Sequence, residues 1–248
     1  MIPKKLHLCW LSGEPFPPLI QHCLDSWKKY LPDYEVVVWD LQRIDLKEIP
    51  WAREAFEHRK YAFAADYIRL YALYEMGGIY LDADVEVTRS FDDLLNQGSF
   101  MGYESSGDLE PAVIGAHPGM QWIRKCLERY KDRHFVKIDG SLDMQPLPYV
   151  IRERLTLSHS LPDKAVSQPT LVESANLTLY PAEFFSPKNA YTKRIARTSA
   201  TRAIHHFDGH WVEQTVKQKL KNGAHRTLGI FGEEVHRKAI QIIRVLKS

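Results

Sequence analysis

The thirty residues from Tyr61 to Ser90, YAFAADYIRLYALYEMGGIYLDADVEVTRS, constrain this chain more than any other stretch. From Tyr61 to Met76 there is neither Gly nor Pro, and apolar side chains recur almost all round the helical wheel, which predicts a helix buried on most sides. Gly77-Gly78 stops it, because a left-handed cap favours a residue without a Cβ. Ile79-Tyr80-Leu81 then reads as a short interior strand that ends in Asp82-Ala83-Asp84. Residues i and i+2 of an extended segment share a side, so these carboxylates stand about 6–7 Å apart at Cα and can bracket one divalent cation. Mg²⁺ and Mn²⁺ favour oxygen ligands in near-octahedral geometry, and Mg²⁺ fills the positions that protein leaves open with water and phosphate. Alone, an Asp-x-Asp pair is an ordinary turn. Here it follows a strand, a glycine break and a helix carrying Asp66 and Arg69, the setting in which open α/β sheets bind ligands.

With 248 residues, 44% hydrophobic and 26% charged, the chain can bury a sizeable core as one α/β domain. Its net charge of +2 implies no partner, nucleic acid included, but the distribution is uneven. Lys188 to Ser248 holds 13 Lys and Arg against 4 Asp and Glu, while residues 1–187 hold 20 against 27. A basic C-terminal quarter suits diphosphates or an anionic membrane surface, or is simply a solvated face. Cys9, Cys23 and Cys126 have no C-x-x-C spacing and fall in apolar patterns, which argues against a disulfide framework or zinc site and for a reducing compartment. No apolar run reaches the length of a membrane span or a signal-peptide core, so the expected location is the cytosol.

Lys5 to Leu11 reads as the first strand, followed by a Gly/Pro loop. A helix follows Pro18 with Leu19, Ile20, Cys23, Leu24, Trp27 and Leu31 on one face, and Glu35 to Trp39 is a second strand, expected to be parallel and buried. Strand, helix and strand form a βαβ unit, yet no Gly-x-Gly-x-x-Gly is present, which weakens a dehydrogenase reading. Further on, a short helix is expected at 91–95, strands at 100–103 and 177–180, and a helix after His117-Pro118. His117 is assigned no role. The small apolar run Ala112 to Ala116 suits close approach by a ligand or a neighbouring backbone, and 132–175 is the least readable part. Val235, Ala239, Ile242, Ile243 and Leu246 fall on one helical face, with Arg237, Lys238, Arg244 and Lys247 largely off it. The expected organisation is therefore one domain over 1–232 and a basic amphipathic helix over 233–248 that rests on the inner face of a membrane or packs on the domain.

The run Ala65-Asp66-Tyr67-Ile68-Arg69, then Gly78-Ile79-Tyr80-Leu81-Asp82-Ala83-Asp84, resembles the DXD signature of glycosyltransferase family 32, with Ala65 where Ser is usual. These are sugar-nucleotide transferases of capsule and lipopolysaccharide synthesis and of fungal mannan initiation. The resemblance extends to His7-x-x-Trp10 and to His205-His206-Phe207-Asp208-Gly209-His210-Trp211, where His210 replaces the usual Ser. It implies a GT-A-type fold, a Rossmann-like mixed sheet flanked by helices in a single domain. It also implies a retaining hexosyltransferase that uses Mn²⁺ or Mg²⁺ and a UDP- or GDP-hexose, with a glycan or lipid-linked acceptor. By the same resemblance Asp82 and Asp84 are the catalytic and metal-binding carboxylates, Trp10 stacks on the nucleotide base, and Asp66 and Arg69 hold donor-sugar hydroxyls. Gly209 and His210 fall near the diphosphate.

Two carboxylates give a cation few protein ligands, and the His205-His206 segment offers a third near a Gly-containing turn. His206 is the expected ligand, because Phe207-Asp208-Gly209 follows it in the order of the glycogenin-type His-Phe-x-Gly element; His205 is held in reserve. An imidazole ligand tilts the metal towards manganese. Absent the aspartates, the histidines would read as structural. Two rival functions stay open: a metal-dependent phosphoesterase acting on nucleotide sugars, and a non-catalytic sugar-nucleotide-binding module.

Overall fold

In the computed structural model, residues 1–162 and 164–208 are described. Gly209, His210 and the helix expected over 233–248 lie outside them, as does the domain boundary at 232. The strands are β1 (Lys5–Cys9), β2 (Glu35–Trp39), β3 (Gly78–Leu81), β4 (Val85–Val87), β5 (Ser99–Tyr103), β6 (Leu109–Ala116), β7 (Thr170–Val172), β8 (Leu177–Tyr180) and β9 (Ala203–His205). The helices are α1 (Pro18–Tyr30), α2 (Pro50–Glu57), α3 (Tyr61–Met76), α4 (Gln121–Glu128), α5 (Leu147–Thr156) and α6 (Ala182–Phe185).

Seven strands form a mixed sheet in the order β2-β1-β3-β6-β5-β8-β7, and β4 and β9 form a second, two-stranded sheet. β1 is parallel to both β2 and β3, whereas β6 runs antiparallel between β3 and β5. Alternating side chains feed two cores. Cys9, Tyr80, Met101 and Ile114 join the side covered by α2, α3, α4 and α5. Leu6, Leu8, Ile79, Leu81 and Phe100 join the other, with Trp27 of α1 and Phe185 of α6. This mixed sheet flanked by helices is the fold expected from the sequence. One expectation fails: β2 is a sheet edge, with Glu35 and Val36 exposed, because among the described residues no further strand pairs outside it.

The passage from α3 to β3 is fixed by sterics. Gly77 has φ +60°, and a Cβ there would stand 2.6 Å from Pro118 Cδ; Gly78 has φ +106°, and its Cβ would meet Lys5 O at 2.8 Å. Buried His7 pins the turn, its Nε2–H donating to Gly77 O (2.7 Å) while Nδ1 accepts from Trp39 Nε1–H (3.0 Å). This imidazole is therefore structural. Between Met101 and Gly102 of β5 the pairing with β6 jumps from Ile114 to Glu110, so Pro111, Ala112 and Val113 bulge out of that ladder. Pro111 has no N–H to donate, which favours a break at this position.

Candidate active site

β1 and β3 are parallel neighbours with His7 opposite Tyr80, so continuing the register sets Trp10 level with Ala83. Beyond the end of β3 stand Asp82 and Asp84, and the buried pair Asp66 and Arg69 meets Asp82 there. Helix α3 delivers Asp66 and Arg69, spaced i and i+3 and both buried. Arg69 lies 3.2 Å from Asp66 Oδ1 and 3.2 Å from Asp82 Oδ1, donates to Pro111 O at 3.0 Å, and sits over the Tyr80 ring. Tyr80 Oη–H donates to Asp82 Oδ1 (3.0 Å), and the Asp82 N–H donates to Ala112 O (2.9 Å). One guanidinium thus ties α3, β3 and the β6 bulge into a single wall. Burial pushes the Asp66 carboxyl up to about 7 against the pull of Arg69, with Asp82 adding to the rise. Burial also raises Asp82, again opposed by Arg69.

Asp84 stands in a different environment. α1 holds β4 in place, Trp27 Nε1–H donating to Val85 O (2.7 Å) and Val87 N–H to Ser26 Oγ (2.8 Å). β9 then pairs antiparallel with β4, Val85 opposite His205 and Glu86 opposite Ile204. This pairing sets His205 Nε2 3.3 Å from Asp84 Oδ1, and the Asp208 N–H donates to Asp84 Oδ2 (2.8 Å). Burial disfavours charge on Asp84, yet His205 and the Asp208 N–H hold its carboxyl well below the usual range. His205 moves the other way: burial opposes its charge, but Asp84 and Glu110 raise its pKa well above the ordinary value.

His206, the expected ligand, directs its ring elsewhere. Its Nε2 lies 3.0 Å from Glu86 Oε2 and its Nδ1 3.3 Å from Lys188 Nζ, while its N–H donates to Asp84 O at 3.0 Å. Consecutive strand residues face opposite sides, so only one of the two imidazoles can meet the Asp84 side chain, and the register chooses His205. Trp10 is 7% exposed, donates from Nε1–H to Glu14 O (2.8 Å) and packs on Phe16, the placement of a largely buried ring at the strand end. Glu110 was not singled out in the sequence; a carboxylate beside Pro inside an apolar run is the signal that could have found it.

Ligands about 2.0–2.1 Å from an octahedral ion stand roughly 3 Å apart when adjacent. The 3.3 Å between Asp84 Oδ1 and His205 Nε2 fits that spacing. Among the described residues no group of three or more His, Cys, Asp and Glu is ready-made for a metal. Two protein groups would leave most positions of an octahedral ion to water and phosphate.

Residues 17–101 match a family model described as a glycosyltransferase sugar-binding region containing a DXD motif. That match takes in Asp66, Arg69, Asp82 and Asp84. Inositol phosphoceramide mannosyltransferase 3 of Schizosaccharomyces pombe is 30% identical over 157 residues, which are 59% of this chain and 43% of that protein. Mannosyl phosphorylinositol ceramide synthase CSH1 of Saccharomyces cerevisiae is 27% identical over 199 residues, 75% of this chain and 51% of that one. The chain thus spans about half the length of these curated relatives. Among solved structures, the PaToxG glycosyltransferase superposes with a TM-score of 0.49 at 22% identity, over 63% of this chain and 68% of that chain. Among the described residues no helix is long and apolar enough to cross a membrane.

Proposed function

We propose that this chain is a metal-dependent retaining hexosyltransferase that moves a hexose from a nucleotide-diphosphate sugar to a glycan or lipid-linked acceptor. The observation that carries this reading is the convergence of Asp84 and His205 at 3.3 Å beside the Asp66–Arg69–Asp82 network. Breaking the bond from the anomeric carbon to a diphosphate builds negative charge on the leaving oxygen. A divalent ion, Mn²⁺ or Mg²⁺, supplies Lewis-acid stabilisation of that charge when bound. Asp84 and His205 hold it, with His205 in the part first given to His206. Asp82, kept in place by Arg69 and Tyr80, would stand between the ion and the ribose, Asp66 and Arg69 would receive sugar hydroxyls, and Trp10 would stack on the base.

The mannosyltransferase relatives support mannose as the hexose and a lipid that carries inositol phosphate as the acceptor. The surface-polysaccharide setting rests on the motif resemblance, action in the cytoplasm on the apolar-run lengths and cysteine usage of the sequence, and peripheral contact at the inner membrane face on the basic amphipathic pattern over 233–248. The full chain is tested with GDP-mannose and UDP-hexoses, with Mn²⁺, and with or without an inositol phosphoceramide acceptor. Transfer to the acceptor is the expected result. Release of sugar or sugar phosphate at a rate that the acceptor leaves unchanged would instead mark a phosphoesterase.

A further inference from the structure

Glu110 is a buried carboxylate that the reading above leaves without a task. It sits at the start of the β6 bulge, where Ala112 has left the ladder with β5, and its Oε1 accepts the Ala112 N–H at 3.0 Å. Ala112 O in turn accepts the Asp82 N–H at 2.9 Å. The second oxygen, Oε2, faces His205 Nδ1 at 3.5 Å, and that buried nitrogen makes no hydrogen bond among the described residues. On its far side the same imidazole presents Nε2 to Asp84 at 3.3 Å.

An imidazole can ligate through Nε2 only if the proton of its neutral form resides on Nδ1, and a carboxylate facing Nδ1 fixes that tautomer and the ring plane. We infer that Glu110 is the positioning residue of the metal site: with the ion bound, its Oε2, already facing His205 Nδ1 at 3.5 Å, accepts the Nδ1–H and so holds the Nε2 lone pair towards the ion that Asp84 shares. Its Oε1, bound to Ala112, braces the carboxylate against the strand that also carries the Asp82 main-chain contact. One side chain thereby ties both halves of the site to the bulge. The inference rests on the reading that Asp84 and His205 bind a divalent cation.

Glu110→Gln is the informative substitution. The amide has one acceptor oxygen where the carboxylate had two. Either Ala112 N–H loses its partner, or the amide NH₂ turns to Nδ1 and forces the proton onto Nε2, which can then no longer ligate.

The test measures the Mn²⁺ dissociation constant of the full chain by the electron paramagnetic resonance signal of free Mn²⁺, for wild type, Glu110→Gln, Glu110→Asp, Glu110→Ala and His205→Ala. It is paired with the ¹⁵N spectrum of the His205 ring in the Mg²⁺-loaded protein. Expected results are a Nδ1–H tautomer in wild type, Mn²⁺ affinity about 10–100-fold weaker in Glu110→Gln and Glu110→Ala, and a smaller loss in Glu110→Asp, which keeps a carboxylate. Affinity in a folded Glu110→Ala within threefold of wild type, or a Nε2–H tautomer in loaded wild type, overturns the role of Glu110. The wild-type tautomer decides even if the variants do not fold. Failure of wild type to bind Mn²⁺ at millimolar concentration, or unchanged affinity in His205→Ala, would instead overturn the metal site itself.

Discussion

Arg69 is a single buried cation serving two carboxylates and a carbonyl, a task that requires the planar fork of a guanidinium. Arg69→Met leaves Asp66 and Asp82 buried without their counter-charge, so urea denaturation should register a loss of about 3–5 kcal/mol, and a loss below about 1 kcal/mol would show that Arg69 does not compensate them. Asp66 carries a pH signature of its own. Its carboxyl is raised by burial from 3.8 to about 7, so the stability it contributes is present below 3.8 and is lost as pH climbs to about 7. Asp66→Asn should flatten the stability curve across that window, and an unchanged slope would contradict the assignment. At His205 the sign works for the metal. The imidazole gains its raised pKa from Asp84 and Glu110, so a cation must displace its proton, and Mn²⁺ should bind more tightly as pH rises towards the folded pKa of His205. Calorimetry in buffers of different ionisation enthalpy is expected to record about one proton released per ion; affinity independent of pH would remove His205 from the ligand set.

The turn between α3 and β3 aims the aspartates, and it does so through two glycines that a Cβ would break. Gly77→Ala should destabilise the fold by about 1–3 kcal/mol in urea titration, since Pro118 must move to admit the methyl and φ is +60°. A neutral effect would show that the turn is not sterically fixed. These elements could be read in advance because their signals are local: the apolar wheel of Tyr61–Met76, the Gly-Gly stop and the short strand before Asp82 lie within one stretch of chain. The pairing of β4 with β9 could not. Val85 and His205 are neighbours only because strands far apart in sequence meet on a platform built by Trp27 and Ser26 of α1. A slip of one residue would exchange His205 for His206, and two adjacent histidines carry no mark of which faces inward. Glu110 was hidden for a similar reason, since its partner atoms depend on a bulge that only the register of β5 against β6 creates.

At the scale of the molecule, parallel strands β1 and β3 end together at the edge that carries Trp10, Asp82 and Asp84, where open α/β sheets receive ligands. A nucleotide sugar bound there should report on the whole fold. Present at 100 times its Kd together with Mn²⁺, it stabilises the native state by about 2.7 kcal/mol, so a thermal-shift panel of GDP- and UDP-sugars should single out the donor. No shift with any of them would argue against a sugar-nucleotide site. The central claim is that Asp84, with His205, holds the cation on which turnover of the donor depends, and it is tested most directly by sugar transfer from that donor with wild type and Asp84→Asn, in EDTA and after Mn²⁺ is restored. Wild type should be inactive in EDTA and recover with Mn²⁺, while Asp84→Asn stays inactive in both. Full turnover by Asp84→Asn in EDTA would contradict the account.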